Sequence, residues 1–423
     1  MTNNPMKDVF ERRTNGRSKF SFVVVAAAVT LLFAPASSRA DFSVANIFGD
    51  HMILQRGVAV PVWGRADPGS EITVRMAERT AAAKTGTDGL WRAELPAMDA
   101  GGPYEMTISG PASIVLKNVL VGDVWLCVGD AGMQKMAGQV PVATQILARQ
   151  PASLRTSVPG TQSTSTSAPD LSRRTGWSMG THVNSQYFSA IGIAFADELR
   201  ERLEKKDLPI GLIQIAGPNT PIEAWVPRGS LTVNPETKLL VDAYDQAVAS
   251  YRKATEALIP TYKQWRADME KAEQTGSAWP QSPSLPPEPR SNNSKPCGYF
   301  NGVISPLASF PVKGVVWSHG ETDVNRAGLY RQIFPMVIQS WRDAWKSPDL
   351  PFLFVQLGAS GAKAGEAKET AWAALREAQK SAADLPKTSM VTILDVQGSD
   401  ALLQIGRRLA EAALKTAYGK ATQ

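Results

Sequence analysis

The pattern of hydrophobic and polar positions changes character near residue 118. Between residues 41 and 118, short stretches in which apolar and polar side chains alternate are separated by turn signals, including Asp67-Pro68-Gly69 and a tight-hairpin signal at Asp88-Gly89. The alternating stretches are residues 58–65, 71–76, 104–109 and 114–116. Because a period of two is typical of half-buried strands, residues 41–118 are predicted to form a small all-β sandwich domain.

From residue 119 onward, apolar runs of strand length alternate with apolar stripes at helical spacing. The predicted strands are residues 119–128, 154–158, 210–215, 314–317, 352–357 and 390–394. Two helical stripes are expected to pack in the core: Ile191, Ala194, Phe195, Leu199 and Leu203, and Tyr330, Phe334, Val337, Ile338 and Trp341. Strands that alternate with helices indicate an α/β domain over residues 119–423, with a mostly parallel sheet covered on both faces.

A helical and Pro-rich insertion at about residues 230–295 interrupts this alternation. Residues 236–275 have helical spacing with a break at Pro260, and residues 279–290 are too rich in proline for a regular element.

The stretch from residue 119 to 132 is where we expect a functional site. The strand predicted for residues 119–128 runs into Gly129-Asp130-Ala131-Gly132, which ends it abruptly. Ligands of open α/β sheets bind at the carboxyl ends of central strands. The turn after residue 128 is therefore the first place to look for chemistry.

The first 40 residues have the pattern of an export signal. Five basic residues up to Lys19 precede an apolar run over residues 20–33, and Ser38-Arg39-Ala40 fits a small-x-small cleavage site. The run is shorter than the roughly 20 residues that a membrane-spanning helix needs. We expect an exported protein, periplasmic or extracellular, with no membrane span once the signal is removed; an uncleaved amphipathic anchor is the alternative.

Charge and cysteine content narrow the class of protein. The formal net charge of +6 falls to +2 without residues 1–40, because these hold six basic and two acidic residues. A balance so close to neutral does not indicate nucleic-acid binding. The only cysteines, Cys127 and Cys297, allow one disulfide in an exported protein, and a free, buried Cys127 is the simpler interpretation.

Residues 119–136 resemble a block of the sialate O-acetylesterases, secreted carbohydrate esterases of the SGNH-hydrolase superfamily. The family block reads approximately V-L-V-G-E-V-W-L-C-S-G-Q-S-N-M. Further similar motifs follow in order at residues 48–56, 62–69, 100–104, 188–190, 220–225, 317–321, 375–379 and 406–410. The resemblance implies a three-layer, flavodoxin-like SGNH domain preceded by the β-sandwich, and an acetylated carbohydrate or glycan as ligand.

The resemblance also implies that the catalytic positions are altered. Where the family has Gln, Ser and Asn, the chain has Asp130, Ala131 and Gly132, so a methyl group replaces the nucleophile. The family's Gly-Gly turn, whose backbone helps to form the oxyanion hole, is Pro218-Asn219 here. Proline has no N–H to donate.

The catalytic histidine of the family is missing as well. In the family it lies in a D-I-H-P segment between the last strand and the last helix, whereas residues 396–400 of this chain contain no histidine. Asp395 is expected to match the aspartate at the strand end and not the triad acid. The chain has three histidines, of which His51 and His182 are expected to be structural.

One group of residues favours some remaining catalytic activity: His319, Glu321 and Asp323. His319 replaces the glutamine of the family's W-Y-Q-G-E block, and together with Asp130 these residues would make a new acid–base or metal site. A hydrogen-bonded loop histidine is the simpler interpretation, because one histidine is a poor metal signature. Asp130 needs a partner if it is buried, and His319 and Lys135 are the candidates.

Three functions stay open at this point, none of which calls for a cofactor or metal. The first is an exported pseudoesterase that retains a carbohydrate-directed pocket. The second is an active carbohydrate acetylesterase with a site rearranged around His319, Glu321 and Asp130. The third is a non-enzymatic interaction protein. Ester hydrolysis separates the second from the other two, and a glycan-binding screen separates the first from the third.

Overall fold

The structure is a computed structural model that describes residues 41–149, 151–174, 176–180, 182–205, 207–358 and 366–420. These residues belong to one compact unit. Residues 1–40, which carry the predicted export signal, lie outside the described residues. In the described part of the chain, no helix combines the length and the apolar character needed to cross a bilayer.

The strands are β1 Ser43–Val44, β2 Ile53–Gln55, β3 Val60–Arg65, β4 Glu71–Met76, β5 Arg79–Lys84, β6 Leu90–Leu95, β7 Gly101–Ser109, β8 Ser113–Gly129, β9 Leu154–Ser157, β10 Trp177–Met179, β11 Ile210–Ala216, β12 Gly314–Ser318, β13 Phe352–Gln356 and β14 Thr388–Thr392.

The α-helices are α1 Ala131–Gln134, α2 Pro141–Ala148, α3 His182–Ser185, α4 Ala190–Leu203, α5 Arg228–Thr232, α6 Pro235–Ala257, α7 Ile259–Thr275, α8 Ser305–Leu307, α9 Ala327–Trp345, α10 Glu366–Lys380 and α11 Ala401–Tyr418. Short 3₁₀ helices are Ala137–Gln139, Ile222–Trp225, Pro289–Ser291 and Glu321–Arg326, and a π-helical turn is Phe300–Ile304.

A mixed sheet of eleven strands forms the centre of the α/β architecture. Its main path runs β10-β9-β11-β8-β12-β13-β14. The pairs from β9 to β14 along this path are parallel, and β10 is antiparallel to β9. Strands β1, β3 and β6 form a separate antiparallel sheet. Each of the six strands predicted after residue 118 is present, with end points that differ by a few residues.

Strand β8 connects the two regions that differ in their sequence pattern. Its first half pairs with β7 and β2, and its second half pairs with β11 and β12. The predicted domain boundary between residues 118 and 119 falls inside this strand. The division into a β-sandwich domain and an α/β domain stays a prediction.

Alternate residues of β8 pack into two hydrophobic clusters on opposite faces of the sheet. Val124, Leu126 and Val128 belong to the cluster under α9, whereas Trp125 and Cys127 belong to the cluster under α4 and α11. Side chains alternate across a strand, so a continuous apolar run is what a strand covered on both faces requires. The two predicted helical stripes are buried in these clusters, as expected.

The hairpin expected at Asp88-Gly89 is wrong. The turn itself is present, because Gly86 and Leu90 are hydrogen-bonded across it. It leads, however, from β5, which pairs with β4, to β6, which pairs with β3 in the other sheet. A turn signal in the sequence reports a chain reversal and does not report which sheet receives the next strand.

Helices α6 and α7 form the predicted insertion. Pro260 lies in the first turn of α7, where its missing N–H is tolerated. The Pro-rich segment folds back on α7, because the Trp265 indole donates to Pro280 O at 3.0 Å and the Tyr262 hydroxyl donates to Pro283 O at 2.7 Å.

Candidate functional site

The site begins where β8 ends beside β12. A Cβ atom on Gly129 would lie 1.9 Å from Ser318 O, so only glycine allows the two strands to approach here. Asp130 follows, donates its backbone N–H to Ser318 O at 2.8 Å and serves as the N-cap of α1. The Asp130 side chain is thereby fixed at the carboxyl edge of the sheet.

The Asp130 carboxylate is 1% exposed and accepts from neutral donors. Oδ1 accepts from the backbone N–H groups of Ala131 at 2.8 Å and Asn219 at 3.1 Å. Oδ2 accepts from the Thr322 hydroxyl at 2.9 Å and from the Thr322 N–H at 3.4 Å. The prediction that Asp130 takes His319 or Lys135 as its partner is wrong: in the described part of the chain its partners are backbone N–H groups, the Thr322 hydroxyl and the carboxyl group of Glu321.

Glu321 lies against Asp130, and the two carboxyl groups are in hydrogen-bonding contact. Burial raises the pKa of Glu321 to about 7, and the negative charge of Asp130 raises it further in the same direction. Backbone N–H groups of Glu321 and Gly132 oppose the shift only in part. Glu321 Oε2 is buried without a hydrogen-bond partner. The pair therefore holds a proton up to neutral pH and leaves one acceptor unfilled.

Asp323, two residues further on, faces the opposite way into an ion-pair network. Its Oδ2 accepts from the Ile222 N–H at 2.9 Å, and its Oδ1 accepts from Arg326 Nε at 3.1 Å. Arg326 also pairs with Glu223. Burial raises the pKa of Asp323, and the charge of Arg326 opposes that shift. Asp323 therefore anchors the turn at Ile222 and takes no part in the Asp130 pair.

His319 is fully buried among aromatic rings. Its centroid is 4.9 Å from that of Trp317 and 6.0 Å from that of Tyr330. Nε2 lies 2.9 Å from Thr220 O, so Nε2 carries the proton in this contact, because a carbonyl oxygen only accepts. Nδ1 is buried without a partner. The structure thus brings Glu321 and Asp130 together and directs His319 toward Thr220.

A cavity of about 800 Å³ opens beside Glu321, at the carboxyl ends of β12, β13 and β14. Gly132, Ser318 and Glu321 line its polar end. The rest of its wall is mainly apolar and comes from α4, α10, α11 and the segment after β14. In the described part of the chain, no group of three or more His, Cys, Asp or Glu side chains is arranged to hold a metal ion.

Residues 303–415 match a family model described as carbohydrate esterase, sialic acid-specific acetylesterase. A solved structure of a carbohydrate acetylesterase from Xanthomonas citri is 30% identical in sequence, with a TM-score of 0.71. The match covers 90% of this chain and 76% of that one. The chain belongs to the sialate O-acetylesterase family.

Mammalian sialate O-acetylesterases are similar over a smaller part of their length. The rat protein is 30% identical over 350 residues, and the human protein is 27% identical over 362 residues. These matches cover 75% and 79% of this chain, and the chain spans 60% of each relative. The similarity places the fold within the family without assigning the relatives' activity to this chain.

Two backbone N–H groups at positions that the resemblance links to catalysis donate to Asp130. The resemblance puts Ala131 at the nucleophile position, and its N–H donates to Asp130. Asn219 stands at the second glycine of the Gly-Gly turn and keeps a left-handed backbone, with φ of 58°. Its N–H also donates to Asp130. Pro218, at the first glycine, offers no donor.

The segment that would carry the family's histidine forms part of the cavity wall. Val396, Gln397 and Gly398 line the cavity just after β14. Asp395 is not among the residues that line the cavity and pairs with Arg408, which lowers the pKa of Asp395 to about 2. A carboxylate held by a surface arginine does not orient a catalytic histidine.

The remaining candidate residues lie away from the cavity. His51 Nδ1 is 2.8 Å from Asn118 Nδ2, and His182 is the first residue of α3, with a side chain outside the described residues. Cys127 and Cys297 are both free and buried in different hydrophobic clusters, so the disulfide alternative is not found. Burial raises the pKa of each thiol to about 12.

Sequence reasoning missed Thr322 and Trp372. Thr322 donates to Asp130, and Trp372 supplies the aromatic part of the cavity wall. The position of Thr322 between Glu321 and Asp323 was the one available signal, since a residue between two candidate carboxylates shares their turn. Trp372 lies on α10, which the hydrophobic pattern did not predict as a strand or a core stripe.

Proposed function

We propose that the protein is an exported sialate O-acetylesterase-like pseudoesterase that has lost ester hydrolysis and retains its ligand cavity. The observation that carries this proposal is the position of the Asp130 carboxylate, whose Oδ1 accepts from both Ala131 N and Asn219 N. These N–H groups would otherwise receive the negative oxygen of an acyl-transfer transition state. A fixed internal negative charge occupies them instead.

The absence of the nucleophile and of the base is also expected to prevent ester hydrolysis. Ala131 has no hydroxyl, and loss of a serine–histidine pair costs about 10⁶-fold in turnover. Loss of one oxyanion donor by itself costs about 10² to 10³ in turnover. Ser318 has the only hydroxyl among the residues that line the described cavity at its acidic end. No hydrogen bond between that hydroxyl and Glu321 is present in the described part of the chain.

The proposal includes the finer architecture and location. We infer an SGNH-type three-layer domain with a mostly parallel sheet over residues 119–423, preceded by a β-sandwich domain over residues 41–118. We also infer cleavage after residue 40 and export to the periplasm or the extracellular space. The support is the motif order and the basic-then-apolar pattern of the N-terminus. An acetylated carbohydrate is the ligand class that the family suggests for the cavity.

One observation favours the second candidate, an active acetylesterase rearranged around His319, Glu321 and Asp130. A carboxyl group with a pKa of about 7 is in the range that suits a general base. Against it, His319 is enclosed by Trp317 and Tyr330 and does not line the cavity. The third candidate, an interaction protein, has the exposed α6 and α7 as its available surface.

Hydrolysis of aryl acetates and acetylated sugars by the purified protein tests the proposal. We expect no acetate release above the buffer rate, and no gain from Ala131→Ser alone, because an alcohol needs a base to take its proton. The combined variant Asp130→Gln, Ala131→Ser, Pro218→Gly, Asn219→Gly and Gln397→His is expected to gain measurable turnover. Saturable turnover by the unmodified protein that His319→Ala abolishes would overturn the proposal, and Ser318→Ala controls for a substitute nucleophile.

A further inference from the structure

We propose that a recess beside Gly132 binds the O-acetyl group of an acetylated sugar as an intact ester, and that Ser318 and Trp372 help to select this ligand. The inference rests on the proposed function, since it names the part of the ligand that the same cavity recognises. It goes beyond that function by giving Gly132, Ser318 and Trp372 separate roles in recognition.

The missing side chain at residue 132 is the first observation. Gly132 lies in α1 and is not among the glycines with a positive φ, so its backbone conformation does not require glycine. A Cβ atom at this position would lie 3.3 Å from Ser318 Oγ and 3.5 Å from Glu321 Oε1. All three residues line the cavity. Glycine therefore leaves a recess at the polar end of the cavity that any larger side chain would fill.

The Ser318 hydroxyl is the second observation. Ser318 ends β12 and lies at the edge of the recess. In the part of the chain that the structure describes, its hydroxyl has no hydrogen-bond partner. A serine O–H rotates to suit its acceptor, and the carbonyl oxygen of an ester is such an acceptor. The recess thus offers a donor for the carbonyl of an acetyl group.

The apolar wall beyond the recess is the third observation. Ile191, Ile393 and Ile405 are among the residues that line it. A free sugar hydroxyl placed against these side chains gives up hydrogen bonds to water and finds no replacement, which costs free energy. An acetyl group at the same position of the sugar has no O–H to satisfy, and its methyl group gains from leaving water. The wall therefore favours the acetylated sugar over its parent.

Trp372 on α10 supplies a surface for the sugar ring. It lines the cavity and is half-buried, so part of the indole is accessible. The C–H groups on one side of a pyranose ring are attracted to the negative face of an aromatic ring. This contact does not involve the acetyl group. The cavity of about 800 Å³ lies within the roughly 300–1,000 Å³ that is typical of ligand pockets.

Calorimetric titration of the purified protein with paired sugars tests the inference. The pairs are methyl xyloside, methyl glucoside and N-acetylneuraminate, each with and without a single O-acetyl group. In at least one pair, the acetylated sugar is expected to bind about tenfold more tightly than its parent, because a methyl group leaves water and a carbonyl gains a hydrogen bond. The O-ethyl ether of that sugar lacks the carbonyl and should bind with intermediate affinity.

Three variants separate the roles. Gly132→Ala fills the recess, and Ser318→Ala removes the donor, so each is expected to reduce the preference for the acetylated sugar to about threefold or less. Trp372→Ala is expected to weaken both members of the pair alike, because the ring contact is common to them.

Matched controls use the same substitutions outside the cavity. Gly229→Ala adds a Cβ atom on α5 that meets no atom within 4 Å. Trp279→Ala removes an indole that is 66% exposed and does not line the cavity. Neither should change the preference or the affinity. Circular dichroism shows whether each variant is folded, and Ser318→Ala carries the test alone if Gly132→Ala is not.

Equal binding of both members in every pair would overturn the inference. An unchanged preference in a folded Gly132→Ala or Ser318→Ala variant would do the same, as would the absence of binding by all of these sugars. NMR spectra of the same samples report acetate release separately. Acetate release together with acetyl-dependent binding would refute the loss of hydrolysis and leave this inference intact. Equal binding without acetate release would refute this inference and leave the loss of hydrolysis intact.

Discussion

Glu321 and Asp323 lie two residues apart in one 3₁₀ turn, and burial raises the pKa of both carboxyl groups. Their partners differ in charge. Asp323 faces the Arg326 guanidinium, and Glu321 faces the Asp130 carboxylate. The Asp323 side is closed, because the Arg326 guanidinium neutralises it, whereas the Glu321 side is open: Glu321 lines the cavity and has no cation beside it in the described part of the chain. Burial alone therefore does not set the charge state of a carboxyl group, because the charge of its neighbour also matters.

The largest expected effect comes from removing the cation on the closed side. Arg326→Met leaves Asp323 and Glu223 buried with no positive partner, and such a break costs about 3 kcal/mol or more of unfolding free energy. Urea unfolding measures the loss. The matched control is Arg228→Met at the exposed pair with Asp245, where less than about 1 kcal/mol is expected. A loss at Arg326 no larger than the control would remove the distinction between the two sides.

On the Glu321 side, a substitution that removes the charge is expected to raise the free energy of unfolding. Because the folded pKa of Glu321 is raised to about 7 from 4.5, its contribution to stability is lost as pH rises between these values and stays lost above. Glu321→Gln removes that loss, so the variant should gain on the order of 2 kcal/mol relative to the unmodified protein between pH 4.5 and 8. Urea unfolding at several pH values checks this, and a constant difference across the range would contradict it.

A smaller effect separates the two causes of the Glu321 shift. Asp130→Asn removes the neighbouring charge and leaves the burial, so the pKa of Glu321 should fall by about one unit and still exceed its ordinary value. Carbon-detected NMR titration of labelled glutamate side chains measures it. A complete return to the ordinary pKa would mean that charge, and not burial, is the main cause.

The smallest expected effect concerns the neutral donors that replace a cation around Asp130. Thr322→Val keeps the side-chain shape and removes the hydroxyl bonded to Oδ2, which should cost about 1 kcal/mol or less. Thermal unfolding of the two proteins gives the difference. A cost as large as that of Arg326→Met would show that a single hydroxyl matters as much to the open side as the guanidinium does to the closed side.

The sequence was sufficient to place Asp130 and Glu321 near each other. Each follows a predicted parallel strand, and the carboxyl ends of such strands meet at one edge of a sheet. The long apolar runs also located the strands themselves, since β8 and β12 are buried on both faces. These inferences depend on local composition and on a general rule of topology.

The partners of these carboxyl groups were not predictable in the same way. Asn219 N–H reaches Asp130 across 89 residues of sequence, and Thr322 reaches it across 192. Whether a backbone N–H points at a carboxylate depends on dihedral angles such as the left-handed φ of Asn219, which periodicity does not reveal. The rings that enclose His319 likewise come from separate elements, Trp317 on β12, Tyr330 on α9 and Trp225 before α5.

The length of β8, which is 17 residues, affects how the chain folds and unfolds. Strand β7 directly precedes it in sequence, but β2 and β11 are both far from it along the chain. Pairings between distant parts of the chain are slow to form, because the intervening loop loses conformational entropy on closing before any hydrogen bond between the strands can offset that loss. Loss of the first half of β8 removes hydrogen-bond partners from β7 and β2, and loss of the second half removes them from β11 and β12; either loss exposes unpaired strand edges. Residues 41–420 are therefore expected to unfold in one cooperative transition, and a chain cut between residues 118 and 119 is expected to aggregate.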